Sequence, residues 1–373
     1  MNVTPPLLDL LGTHWDVKAA VLGLAWDTSS RIAACATADG VVMLADGVWP
    51  NGPHLAPRPA GGWAVIAGKS AAPEPLRVRA HPKAALALCA DRLGGFLSGG
   101  AEGRLVHISS SGSCSQLAKV ADGAISAVAS GHAGVRAWAS GQRLHRIALQ
   151  RETQIDLPSA ASAIAFDRSG MRLAACHDGG VTLVSMAEGD SPTHSPTRSP
   201  TLLRWPGPHA ALVWHPDASV LVSGTEGNVL HAWRVADGSD IELGGNPGAP
   251  RSLSFSGDGR FLVASGATRP VAWRFDPPRA GEPPELCGAA SKAAVTQVAC
   301  HPTQALIAAG HHNGAIALSQ PGQADVLVVR AAGDGPVTAI AWSPDGTRLA
   351  FGTQDRCFGW LHLPADLFRF PTP

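Results

Sequence analysis

The sequence predicts an all-β chain, and three observations carry that reading. Short apolar runs of roughly five to seven residues recur along the 373-residue chain, each bounded by Gly, Pro, Asn or Asp. No stretch needs the 3.6-residue apolar stripe of an amphipathic helix. The runs also come in a fixed order: an apolar strand, a tight polar turn, a second apolar strand, a Gly-based turn and a third strand. With Trp26, Cys89, Ala129, Phe166, Trp214, Phe255, Cys300 and Trp342 taken as equivalent, the steps are 37 to 48 residues, only the first being longer. That is the period of four-stranded antiparallel blades around an axis. The expected architecture is a single β-propeller across residues 1–373 with eight blades. Seven is the alternative, because the unit Ala124 to Leu149 is short and carries Trp138 on its second strand.

Taken in chain order, the first element is a strand that belongs elsewhere. The last unit supplies three strands and ends soon after Leu363, while Thr13 to Ala19 precedes the first inner strand and can complete that last blade, removing an open sheet edge. The first unit follows at Leu24-Ala25-Trp26-Asp27. Residues 46–62 interrupt it, and their Pro and Gly density reads as a loop rather than a further blade. Weaker units begin near Ala84 and Ala124, and a clear one runs from Ala161 to Asp178. A Ser/Pro/Thr-rich stretch, 187–201, then reads as an outer loop, with Ser-Pro or Thr-Pro phosphorylation as its functional alternative. Further units start at Leu212, Leu253, Val298 and Val337. Inner strands such as Ala84 to Ala90 are rich in small residues, as strands crowded near an axis must be. Asp39-Gly40, Asp178-Gly179 and Asn313-Gly314 supply the positive φ of two-residue hairpins between second and third strands.

At this point the chain resembles the WD-repeat β-propeller family over nearly its whole length. The resemblance rests on the turn Ser343-Pro344-Asp345-Gly346 and on the third-strand tryptophans Trp233, Trp273 and Trp360. The naming dipeptide is mostly missing, since Arg234, Arg274 and Leu361 follow those tryptophans. Trp15-Asp16 and Trp26-Asp27 fall on an outer strand and at the end of an inner one.

Composition narrows the partners. With 29 basic and 29 acidic residues the formal net charge is zero, so no global footprint for nucleic acid or an anionic membrane is expected. No segment is long and apolar enough to span a bilayer, and the start Met1-Asn2-Val3-Thr4-Pro5-Pro6 lacks a secretion signal, which points to a cytoplasmic address. The seven cysteines show no metal-ligand spacing, and Cys35, Cys89, Cys176 and Cys300 read as buried, reduced thiols.

Catalytic motifs are not found. Gly62 to Ser70 resembles a phosphate-binding loop, but Gly62 stands one residue too early and no helix pattern follows. The sharper signal is histidine. His177 adjoins the Asp178-Gly179 turn, His311 and His312 adjoin Asn313-Gly314, and His81 and His209 precede inner strands. The WD-like arrangement puts both kinds of loop on one face, together with Asp39, Glu102, Glu226, Arg269 and Asp355. The leading expectation is a non-catalytic platform that docks a protein or peptide partner on that face, with no cofactor and no metal. The alternative is a metal-handling or hydrolytic propeller using the same His and acidic groups. A third reading, a structural subunit of a larger assembly, rests on Trp49 and Trp63 as an exposed apolar contact.

Overall fold

The computed structural model describes residues 5–59, 61–148, 151–186, 199–275, 282–333, 335–364 and 367. Its strands form eight four-stranded antiparallel sheets, each a blade. In chain order the inner strands are Val21–Trp26, Ala85–Ala90, Ala127–Ser130, Ala163–Phe166, His209–Trp214, Leu253–Phe255, Val295–Cys300 and Val337–Trp342, for blades 1 to 8. Each inner strand packs beside the next, and the last packs beside the first, so the ring is closed. Eight blades, not seven, are present.

Closure uses both ends of the chain. Gly12–Asp16 pairs antiparallel with Cys357–His362, from Gly12 opposite Leu361 to Asp16 opposite Cys357, and so becomes the outer strand of blade 8. The short helix Leu7–Leu11 precedes it and buries Leu8 and Leu11. Val17 is fully buried beside Val21, Phe358 and Trp360, so this segment enters the core between blades 8 and 1. Wedge-shaped packing at the ring interior explains two glycines. At Gly310 a Cβ would lie 2.5 Å from Val337 Cγ1, and at Gly352 one would collide with Val21, so second strands lean directly on the next blade.

The inner-strand tryptophans seal the seams between blades. Trp26 Nε1 donates to Ala341 O at 3.1 Å, Trp214 Nε1 to Ala165 O at 3.0 Å and Trp342 Nε1 to Ala299 O at 3.1 Å. Each carbonyl belongs to the preceding blade's inner strand, so a bulky ring fills the seam while its N–H satisfies an inner-edge acceptor. Between blades 6 and 7 serine does part of this work: Ser252 Oγ and Ser254 Oγ accept from Val298 N and Cys300 N, both at 3.0 Å.

The insertion in blade 1 differs from the expected plain loop. It separates the third strand, Val41–Asp46, from the fourth, Leu76–Arg79, and within it His54–Pro57 pairs with Trp63–Ile66 as a two-stranded hairpin. Strand-forming Leu55, Val65 and Ile66 supply the legs, while Gly61 and Gly62, at φ 88° and 80°, allow the chain to reverse. Trp49, expected to be an exposed contact, packs edge-on against Trp360 at 6.4 Å, so the cores of blades 8 and 1 claim it. The exposed apolar groups of the insertion are instead Val48, Val65 and Ile66. Most of the Ser/Pro/Thr-rich stretch, 187–198, with its Ser191-Pro192 and Ser195-Pro196 steps, lies outside the described residues.

Candidate functional site

Antiparallel blades give the ring two faces. One collects the turns from first to second and from third to fourth strands. The other collects the second-to-third hairpins and the loops that enter the next blade. The last two kinds touch directly: His81 N donates to Gly40 O, Trp205 N to Gly179 O and Glu226 N to Pro208 O. This hairpin face therefore carries all the residues singled out from sequence.

The structure splits those residues into two groups. His81, His177, His209 and His311 are buried, at 1, 1, 2 and 5% exposure. His81 Nδ1 donates to Glu102 Oε1 at 2.8 Å, and its Nε2 accepts from Ser98 Oγ at 3.0 Å. His177 Nδ1 donates to Asp178 O and its Nε2 accepts from Thr182 Oγ1, both at 2.9 Å. His209 accepts from Ser223 Oγ at 2.7 Å, donates to Trp205 O at 3.3 Å and lies 5.8 Å from the Trp233 ring. His311 donates to Ala293 O at 3.1 Å. These imidazoles staple a loop to its own blade, and burial holds His209 and His311 below the ordinary imidazole pKa, so they sit there neutral.

The second group reaches solvent. Asp178, Glu226, His312 and Asp355 are exposed, while Asp39, Glu102 and Arg269 are half-buried. Asp39 Oδ1 accepts from Thr37 Oγ1 at 2.6 Å, and Asp355 Oδ2 accepts from Gly335 N at 2.6 Å, so both carboxylates are set by their turns. Burial alone would raise the Asp39 carboxyl, but the bonds from Thr37 and Val41 N with the Arg79 charge hold it below the usual range. Glu226 faces Arg251 at 3.9 Å, and Arg269 donates to Gly288 O at 3.3 Å.

The chemistry available here is limited. Ser98, His81 and Glu102 form the hydroxyl–imidazole–carboxylate order of an acyl-transfer triad. Ser98, however, has 0% exposure, so no substrate carbonyl can approach its Oγ. Among the described residues no three His, Cys, Asp or Glu side chains converge as a metal ion would require. Sequence reasoning ranked the buried and exposed histidines together. A signal that separates them is a hydroxyl placed one strand away, as Ser98 is for His81 and Ser223 for His209.

On the opposite face, where the sequence places His215 and His301 as turn residues, it does not show that a second set of polar residues bonds across blades. Arg136 Nη2 meets Asp91 Oδ2 at 2.7 Å between blades 3 and 2. Arg172 Nη2 donates to Ala218 O at 2.7 Å from blade 4 to blade 5, and His215 Nε2 to Gly259 O at 3.1 Å from 5 to 6. His301 Nε2 donates to Gly346 O at 2.9 Å from 7 to 8, and Arg348 Nε to Gly47 O at 2.7 Å from 8 to 1. This face is a polar belt.

Comparison with known proteins agrees with the architecture. Residues 326–358 match the family model described as WD domain, G-beta repeat, a stretch running from the outer strand of blade 7 into the third strand of blade 8. No curated protein matches the sequence. The crystal structure of the computationally designed Ika8 protein is similar at a TM-score of 0.68 and 14% identity, covering 92% of this chain and 96% of that one. Matches to solved structures number 1711 chains, so the fold by itself selects no function. One stretch similar to a WD repeat, residues 326–358, thus sits in a closed ring of eight four-stranded blades, a β-propeller.

Proposed function

We propose that the chain is a non-catalytic interaction scaffold whose hairpin face docks a protein or peptide partner. WD-repeat propellers generally serve as protein-interaction scaffolds. The observation that favours this face is that Asp178, Glu226, His312 and Asp355 stand exposed on it above buried histidines, whereas Arg136, Arg172, His215, His301 and Arg348 on the belt face are used to join blades. A cytoplasmic location accompanies this reading, supported by seven free cysteines and by the absence, among the described residues, of any helix long and apolar enough to cross a membrane.

The test is affinity capture from the native cell with the intact chain and with a Glu226→Ala, Arg269→Ala, His312→Ala, Asp355→Ala variant. His312 takes the place of its buried neighbour His311, whose loss would disturb the blade itself. The variant should stay folded with a loss on the order of 1–2 kcal/mol, because Glu226 and His312 are exposed while Arg269 and Asp355 each give up one hydrogen bond. It should lose the partner. A partner retained by this variant would remove the hairpin face from consideration.

A further inference from the structure

On the belt face the insertion of blade 1 lies beside the seam with blade 8. There a cavity of about 410 Å3 is lined by Trp49, His54, Arg348, Trp360 and His362 with Leu11 and the backbone of 47–53. That volume falls in the range of small-molecule sites, roughly 300–1,000 Å3. Its mouth is open to solvent, since Val48, Pro50 and His54 are exposed.

The lining is one-sided in charge. Among the described residues it contains an arginine, two histidines and two tryptophans and no carboxylate. Arg348 is fixed by its own bonds, Nε to Gly47 O at 2.7 Å and Nη1 to Ser30 O at 3.3 Å. Asp345 offsets part of its charge, with Oδ2 at 3.3 Å from Nη1, but lies outside the lining. Burial, reinforced by the Arg348 charge, holds His362 below the ordinary imidazole value, so the guanidinium is the fixed charge of the pocket near neutral pH. Trp360 is 1% exposed and contributes an apolar ring to the cavity lining. A positioned cation in a wall whose other side chains are mostly Trp, Val, Pro, Leu and His suits a ligand that brings an anionic acceptor on an apolar body.

We propose that this cavity is a binding site for a small organic carboxylate, its carboxyl group held by Arg348 and its apolar body resting against Trp49 and Trp360. The site is separate from the hairpin face and does not depend on the scaffold reading. Leu11, Trp360 and Arg348 belong to the segments that close the ring, so occupancy would also brace the seam between blades 8 and 1.

Calorimetric titration of the full chain with phenylacetate, its neutral isostere phenylacetamide and inorganic phosphate tests the proposal. Phenylacetate should bind at least about tenfold tighter than either of the others, because one lacks the charge and the other the apolar body. Arg348 also holds the seam, so the decisive variants are at the exposed rim, where folding is not at stake. Val48→Glu, which adds a carboxylate at the mouth, should weaken phenylacetate about fivefold relative to Val48→Gln. Equal binding of acid and amide, equal binding of phenylacetate and inorganic phosphate, equal affinity in the two Val48 variants, or no heat with phenylacetate would each overturn it.

Discussion

The two faces of the ring spend their polar groups differently. On the belt face, side chains from one blade end on the backbone or carboxylate of the next: Arg172 on Ala218, His215 on Gly259, His301 on Gly346, Arg348 on Gly47. On the hairpin face, buried imidazoles end within their own blade: His81 on Ser98, His177 on Thr182, His209 on Ser223. A repeat protein needs both an intrinsic unit stability and a neighbour coupling. Arginine and histidine couple neighbours at the belt end, while Thr296 and Ser162 donate to Val337 O and His209 O of the next blade near the hairpin end. The exposed hairpin tips can carry different residues on each blade without touching these bonds.

The largest way to break that division is to open the ring itself. Removing residues 1–20 deletes the strand Gly12–Asp16 and the buried Leu8, Leu11 and Val17. Three buried aliphatic side chains alone account for on the order of 5 kcal/mol, before the unpaired edge of Cys357–His362 is counted. The truncated chain should therefore melt far below the parent or aggregate. Melting like the full-length chain would show that the ring does not depend on this closure.

Next in size is a single belt contact. Asp91 is fully buried and is held by Arg136 at 2.7 Å and by Ser130 Oγ at 2.9 Å. Arg136→Ala leaves that carboxylate buried without its cation, which costs about 3–5 kcal/mol, whereas Arg136→Ala with Asp91→Asn should recover much of the loss. Chemical denaturation of the four proteins of this cycle measures the coupling between blades 2 and 3. A coupling near zero would mean that the belt is decoration and not a joint.

How much of this was legible in the sequence follows from what each feature depends on. The blades were legible because strand alternation and Asp-Gly or Asn-Gly turns are local, and so was the closure, since Trp15 sits in a strand-like run just ahead of the first blade. The hairpin in the insertion was obscured by its Pro and Gly density, although Gly61-Gly62 between Leu55 and Val65 is itself a reversal signal. Among the candidate site residues, the shared face was readable from the repeat, but the burial of His311 beside the exposed His312 was not. Two adjacent imidazoles on a strand end point in opposite directions, and only the loop contributing Ala293 O decides which is held. The belt was hidden for the same reason: Arg172 and Ala218 are far apart in sequence and meet only when blades do.

Acid sharpens the comparison with the smallest expected effect near neutrality. Burial holds His209 and His311 on the hairpin face and His301 on the belt face below the ordinary imidazole value near 6.5. The unfolded chain then binds more protons than the folded one below that pH, so this stability is fully present above about 6.5 and is lost as pH falls toward the folded values. Carboxylates titrate later, and those with turn bonds on the belt face include Asp167, Asp217, Asp258 and Asp345. Burial alone would raise them, but bonds from neighbouring side chains and backbone, such as Ser219 and His215 at Asp217 or Ser343 and Thr347 at Asp345, hold them low, Asp217 to about 2. Their contribution is present above about 3.8 and lost below it. Hydrogen exchange should therefore show a mild loosening of both faces from pH 7 to 5, smaller than the Arg136→Ala effect. From pH 4 to 2.5 the loss should be steeper and concentrated in the first-to-second-strand turns. Uniform loosening in the lower range would mean that these carboxylates do not hold their turns in the way their geometry implies.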